Sequence, residues 1–192
     1  MEIKLPNSLN ELTLGQYLQF STIAGEIKDD GSIENTLRTY KLIEVLANAT
    51  EEQIDELSLA QVAELTTGTK ELIDAFVGFE SKMEPFEIDG VWYASKSMDE
   101  LDNGEYISLN ILKEQYGNDT FALFPKLLAV LIRPATKKYD EEKKEDYWEL
   151  EKFNRRDMLN LEYRADLFYR KAKAQDVIPI INFFLTMKET SA

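Results

Sequence analysis

A chain of 192 residues with 44% hydrophobic and 11% aromatic side chains is long and apolar enough to bury a core, which excludes global disorder. It contains neither histidine nor cysteine, so the usual zinc, copper and iron–sulfur ligand sets and the histidine-assisted nucleophiles cannot be assembled. A formal net charge of −14 opposes non-specific association with nucleic acid or anionic lipid.

Only oxygen-ligand cation sites and carboxylate or lysine chemistry stay open, and no cofactor is expected. Lack of cysteine fits a reducing compartment. The start, MEIKLPNSLNELTLGQYLQF, has no basic opening followed by an apolar run, so no secretory leader is expected. Apolar stretches at 127–132 and 177–185 are too short to span a bilayer, and a cytoplasmic-type chain without membrane association is expected.

A short extended segment at residues 2–5 stops at Pro6, and Thr13-Leu-Gly-Gln16 then reads as a capping box. Its helix carries Leu14, Tyr17, Leu18 and Ile23 on roughly one face and ends at the turn Asp29-Asp-Gly31. Ser32 caps a second helix whose turns are marked by Ile33, Leu37, Tyr40, Ile43 and Leu46. Two further capping boxes follow, Thr50-Glu-Glu-Gln53 and Ser58-Leu-Ala-Gln61. The first opens a short helix. The second opens a longer one with an apolar stripe of Leu59, Val62, Leu65, Leu72, Ile73, Phe76 and Val77, which Thr66-Thr-Gly68-Thr is expected to kink or interrupt.

From Pro85 the period changes to two. Phe86-Glu-Ile-Asp-Gly-Val-Trp-Tyr93 alternates around Asp89-Gly90, the favoured pair for a type I′ turn, and predicts a hairpin. Leu101-Asp-Asn-Gly104 reads as a second turn. After it, Glu105-Tyr-Ile-Ser-Leu109 predicts either a third short strand or the lead into the next helix, so residues 85–109 form the β insertion. A helix over 110–116 closes at Gly117-Asn118. The apolar run that ends at Arg133-Pro134 predicts a central helix beginning or bending near Phe124, because of Pro125.

Between Arg133 and Lys173 there are 12 Lys/Arg and 10 Asp/Glu, against a strongly acidic remainder. Such density predicts a solvated helix with intrahelical ion pairs, or a docking surface for an acidic partner or a second copy. Residues 140–192 are therefore read as a C-terminal helical segment, with Asp140 to Asp146 at a helix N-terminus. Asp176 caps the last helix and Pro179 falls in its first turn. With no repeat and no Gly/Ser linker, residues 1–192 are expected to form one compact, mainly α domain.

Candidate chemistry is sparse. Asp99-Glu-Leu-Asp-Asn-Gly-Glu105 is the densest set of oxygen ligands but lacks the spacing of a calcium loop, so it reads as a charged turn. No glycine-rich phosphate cradle occurs. Trp92 with Tyr93, Tyr147 with Trp148, and the adjacent Arg155-Arg156 are the residue types enriched at protein interfaces, and they are the expected partner-binding residues.

The order of Leu12-Thr-Leu-Gly-Gln-Tyr17, Phe86-x-Ile-Asp-Gly-x-x-Tyr93, Leu101-x-x-Gly-Glu-Tyr106, Ala129-Val-Leu-Ile-Arg-Pro134 and Asn182-Phe-Phe-Leu185 resembles small morphogenesis proteins of tailed bacteriophages, of the tail or baseplate assembly chaperone type. That resemblance spans most of the chain and rests on structural signatures. It implies a non-enzymatic assembly factor in the host cytoplasm that binds a phage structural protein. A minor structural component of the virion, in tail, neck or baseplate, is the alternative, and a homo-oligomer is compatible with both. A Mg²⁺-dependent carboxylate enzyme would require several acidic side chains to converge in one pocket.

Overall fold

The computed structural model describes residues 3–27, 33–76, 78–79, 84–96 and 100–186, the side chains of 183–186 excepted. The expected turn at Asp29-Asp-Gly31, the cap at Ser32 and the positions Val77, Asp99, Phe183, Phe184 and Leu185 as side chains lie outside these. The architecture is mainly α with a small antiparallel sheet, as the periodicities predict. Residue contacts divide the chain into two compact units, Met1–Gly78 and Phe79–Ala192, at a boundary that no linker composition marks.

The first unit is helical. A 3₁₀ turn (Leu9–Glu11) leads to α1 (Leu14–Glu26), α2 (Ile33–Ala47), α3 (Glu51–Asp55) and α4 (Leu59–Asp74). All three expected capping boxes are closed. In the first, the Gln16 amide N–H donates to Thr13 Oγ1 and the Thr13 N–H donates to Gln16 Oε1; Thr50–Gln53 and Ser58–Gln61 repeat it. Gln16 also donates from Nε2 to the Val45 carbonyl at 3.1 Å, which ties α1 to α2. The core gathers Leu9, Leu12, Phe20, Leu42, Val45 and Leu46, with Tyr17, Leu72, Ile73 and Phe76 packed against it.

Two helical faces differ from expectation. In α2 the buried face is Asn35, Leu42, Ile43, Val45 and Leu46, while Ile33 and Leu37 lie exposed, Leu37 at 61%. The stripe of α4 covers the core only at its C-terminal end: Leu59 is 86% exposed, and the buried residue is Thr69. Nor does Gly68 break α4. The helix runs through it, and Leu5 packs so close that a β-carbon at Gly68 would lie 2.9 Å from Leu5 Cδ1.

The second unit combines helices with the sheet. Strands β1 (Phe86–Ile88) and β2 (Val91–Ser95) form the expected hairpin, with Asp89 at φ 52° and Gly90 at φ 81°, the positive pair a type I′ turn needs. The turn expected at Leu101–Gly104 is the start of a helix. Asp102 accepts from the Glu105 amide at 2.9 Å and Glu105 Oε2 accepts from the Asp102 amide at 2.8 Å, a capping box that opens α5 (Asn103–Tyr116). Glu105 to Leu109 is accordingly helical, and the β insertion ends with β2.

Asp119 caps α6 (Thr120–Leu131), which starts a turn earlier than Pro125 suggested, with that proline inside the helix. Leu123 and residues 127–131 are buried, so α6 is the central element, packed by α5, α7 and α8. The helix stops at Leu131, just before Arg133-Pro134, where the chain turns into β3 (Ile132–Asp140).

The C-terminal segment departs furthest from expectation. Residues 145–150 form β4 (Glu145–Leu150), which completes an antiparallel sheet of order β1-β2-β3-β4; only then come α7 (Met158–Lys171) and α8 (Ala174–Thr186). Charges read as intrahelical pairs are cross-strand pairs: Lys137 Nζ lies 2.6 Å from Asp146 Oδ2 and Lys138 Nζ 2.5 Å from Glu149 Oε2. Each joins a residue to the diagonal neighbour of its partner across the β3–β4 ladder, at a sequence separation too long for two side chains on one helix to meet. Asp140 accepts from the Glu142 and Lys143 amides in the β3–β4 turn instead of capping a helix. In α8, Asp176 sits within the first turn and Pro179 beyond it, with Val177 to Ile181 buried.

Candidate functional site

A strand turns successive side chains to opposite faces. The register Ala94↔Arg133, Ala135↔Leu150 and Lys137↔Trp148 therefore puts Trp92, Ala135, Lys137, Trp148, Leu150 and Asp146 on one face of the sheet. On that face Trp92 from β2 and Trp148 from β4 meet with ring centroids 5.1 Å apart and planes tilted by 37°. They line an open groove of about 750 Å³, together with Gly90, Val91, Pro134, Ala135 and Leu150. Trp92 is 42% exposed. An exposed indole and a half-buried one, with Lys137, Glu149 and Glu151 also in the lining, make a surface with an aromatic centre and a charged rim that gains by covering.

Of the six residues expected to bind a partner, two are brought together here. Tyr93 is not available: it faces the opposite way, is 5% exposed, stacks on Phe86 at 6.0 Å and meets Phe168 of α7 edge-on at 5.3 Å. Burial raises its phenol above the ordinary value. Tyr147 is exposed, yet it lies on the other face from its neighbour Trp148, opposite Lys138. Arg155 and Arg156 form an exposed turn ahead of α7, outside the groove lining, and neither has an ion-pair partner among the described residues. For Tyr147 and Trp148 the cause is the strand: at the expected helix start neighbours share a flank, whereas β4 turns them to opposite faces. Tyr93 is taken by packing against α7.

The sheet is held by a buried ionic cluster. Arg133 Nη2 lies 2.5 Å from Glu105 Oε1, with the two side chains 2% and 0% exposed, and Lys96 Nζ reaches Glu105 Oε2 at 3.3 Å. Burial lowers the guanidinium pKa of Arg133 and the carboxylates of Glu105 and Asp102 oppose that shift. The Phe153 ring caps the guanidinium at 6.0 Å. Glu105 and Arg133 are buried and anchor α5 to β3, with Lys96 reaching the pair from a partly exposed position.

Elsewhere in the second unit, Arg164 donates two hydrogen bonds to the Ala129 carbonyl, Lys126 pairs with Glu162, and Lys171 of α7 reaches Asp89 of the hairpin turn. Together they lock α7 onto α6 and the hairpin, so the groove stands on rigid elements. Among the described residues no three acidic side chains converge as a cation site, and no helix is long and apolar enough to cross a membrane. Sequence periodicity alone missed Pro134, Ala135 and Leu150 as groove residues; the signal was the alternation in Tyr147-Trp-Glu-Leu150.

The fold and face define a mainly helical protein with an aromatic-lined sheet edge. The chain matches no protein-family model, no curated protein and no solved structure.

Proposed function

We propose that the protein is a non-enzymatic binding protein that engages a partner protein through the aromatic face of its sheet. The observation that carries this reading is the Trp92–Trp148 pair, Trp92 exposed and Trp148 half-buried on a groove of the sheet instead of packed inward. Tryptophan is the residue type most enriched where binding energy concentrates. The acidic charge of the chain keeps a complex soluble and away from nucleic acid.

The partner suggested by the resemblance to tail and baseplate assembly chaperones is a phage structural protein, held in the host cytoplasm before assembly. Capture of the intact protein from phage-infected cells is the direct test. Recovery of a virion protein, lost on Trp148→Ala, is the expected result; recovery of none overturns the assembly role. Mass spectrometry of purified particles then separates a chaperone, which is absent from them, from a minor virion component, which is present.

A further inference from the structure

β4 is the outer strand of its sheet, and among the described residues nothing pairs with its far side. The Glu151 amide donates to the Pro134 carbonyl at 2.9 Å, which sets the phase of the β3–β4 ladder. Main-chain groups of alternate residues point to opposite edges of an antiparallel strand. Glu145, Tyr147 and Glu149 thus turn their N–H and C=O toward β3, and Asp146, Trp148 and Leu150 turn theirs outward. The three outward residues are the ones whose side chains lie on the groove face.

We propose that this free edge accepts an extended segment of a partner protein as an added strand, its side chains alternating apolar and basic. This rests on the binding reading above and names the chemistry of its partner. Along one face an added strand runs beside Trp148 and Leu150, where aliphatic side chains are covered by the groove. Along the other it runs beside Glu145, Tyr147, Glu149 and Glu151. From 145 to 151 the strand carries four carboxylates and no base. Glu149 is taken by Lys138, and neither Glu145 nor Glu151 has an ion-pair partner among the described residues. Lysine or arginine at alternate positions answers those charges across the strands.

A second copy does not fit the edge. Two β4 strands paired antiparallel through their free edges set Glu145 opposite Glu149 twice when centred on Tyr147, or Glu145 opposite Glu151 twice when centred on Trp148, and like charges directly opposed destabilise a sheet. Acidic edges block self-pairing in this way. The same charges select a basic strand.

The test uses the intact protein and two short synthetic peptides, one alternating lysine with valine and one alternating glutamate with valine. Binding is followed by tryptophan fluorescence and by amide hydrogen exchange. The lysine peptide should bind about tenfold more tightly, from a few cross-strand pairs, and should slow exchange at Asp146, Trp148 and Leu150. Net charge alone would also attract lysine, so the deciding variant is Asp146→Pro, which removes an outward N–H and leaves the β3–β4 ladder in place. It should lose the lysine peptide while Asp146→Asn keeps it. Equal binding by Asp146→Pro and Asp146→Asn, or no preference between peptides, overturns the proposal. The double variant Glu145→Lys, Glu151→Lys should reverse the peptide preference, and an unreversed preference also counts against it. Capture of a virion partner by Asp146→Pro at wild-type level would remove the edge and leave the binding reading standing; capture by neither protein removes the binding reading itself.

Discussion

Trp92 and Tyr93 are neighbours in the chain and stand on opposite sides of one sheet, the first half in water over the groove and the second packed between Phe86 and Phe168. Their substitutions should therefore separate binding from folding. Trp92→Ala is expected to leave thermal unfolding within about 1 kcal/mol of wild type and to weaken partner capture. Tyr93→Ala should cost about 3–5 kcal/mol, as for other buried aromatics cut to alanine. Denaturant unfolding of both variants checks this; equal losses of stability would return Trp92 to the core.

The Glu105–Arg133 pair should behave as a unit. Arg133→Met leaves a fully buried carboxylate with only Lys96 beside it, and a loss of about 3–5 kcal/mol is expected. Adding Glu105→Gln removes the stranded charge and keeps an oxygen for the Asp102 amide. The double variant should recover part of the loss, which a double-mutant cycle measures.

Tyr93 also sets an alkaline limit. Burial raises its pKa above the reference value of 10.0, so the folded state favours the protonated phenol. A raised acid pKa contributes stability that is complete below the unfolded value and is lost as pH climbs toward the folded one. Tyr17 shares the sign and the cause. Melting temperature should fall above pH 10, and Tyr93→Phe should flatten that fall while leaving neutral-pH stability nearly unchanged. An identical alkaline slope in the variant would remove Tyr93 from the account.

Two glycines should respond with opposite signs. Gly90→Ala places a side chain at φ 81° in the hairpin turn and should destabilise by about 1–2 kcal/mol. Gly68→Ala lies inside α4, where alanine gains about 1 kcal/mol of helix propensity. Its new carbon meets only the end of the Leu5 side chain, which can rotate away, so a net gain below 1 kcal/mol is expected. Thermal melts of the two variants decide; a destabilised Gly68→Ala would show that Leu5 is fixed.

Local chemistry was legible wherever a few neighbouring residues decide the outcome. Three capping boxes, the Asp89-Gly90 hairpin and the stop before Pro134 follow from hydrogen bonds or dihedral limits within four residues, and each stands as read. The charged stretch from 137 to 149 was not legible. The stretch also sets base and acid four residues apart, as in Lys137 and Glu141 or Lys138 and Glu142, which reads as helical, whereas the pairs that form, Lys137–Asp146 and Lys138–Glu149, join two strands.

That difference decided the aromatic site. The sequence by itself determined that the protein is mainly helical, acidic and without histidine or cysteine chemistry, because composition and short-range capping need no partner segment. Tertiary structure decided that Tyr93 is core, that Tyr147 and Trp148 part company, and that Trp148 meets Trp92 instead. The physical reason is the period-two geometry of β4, which exists only because β3 lies beside it.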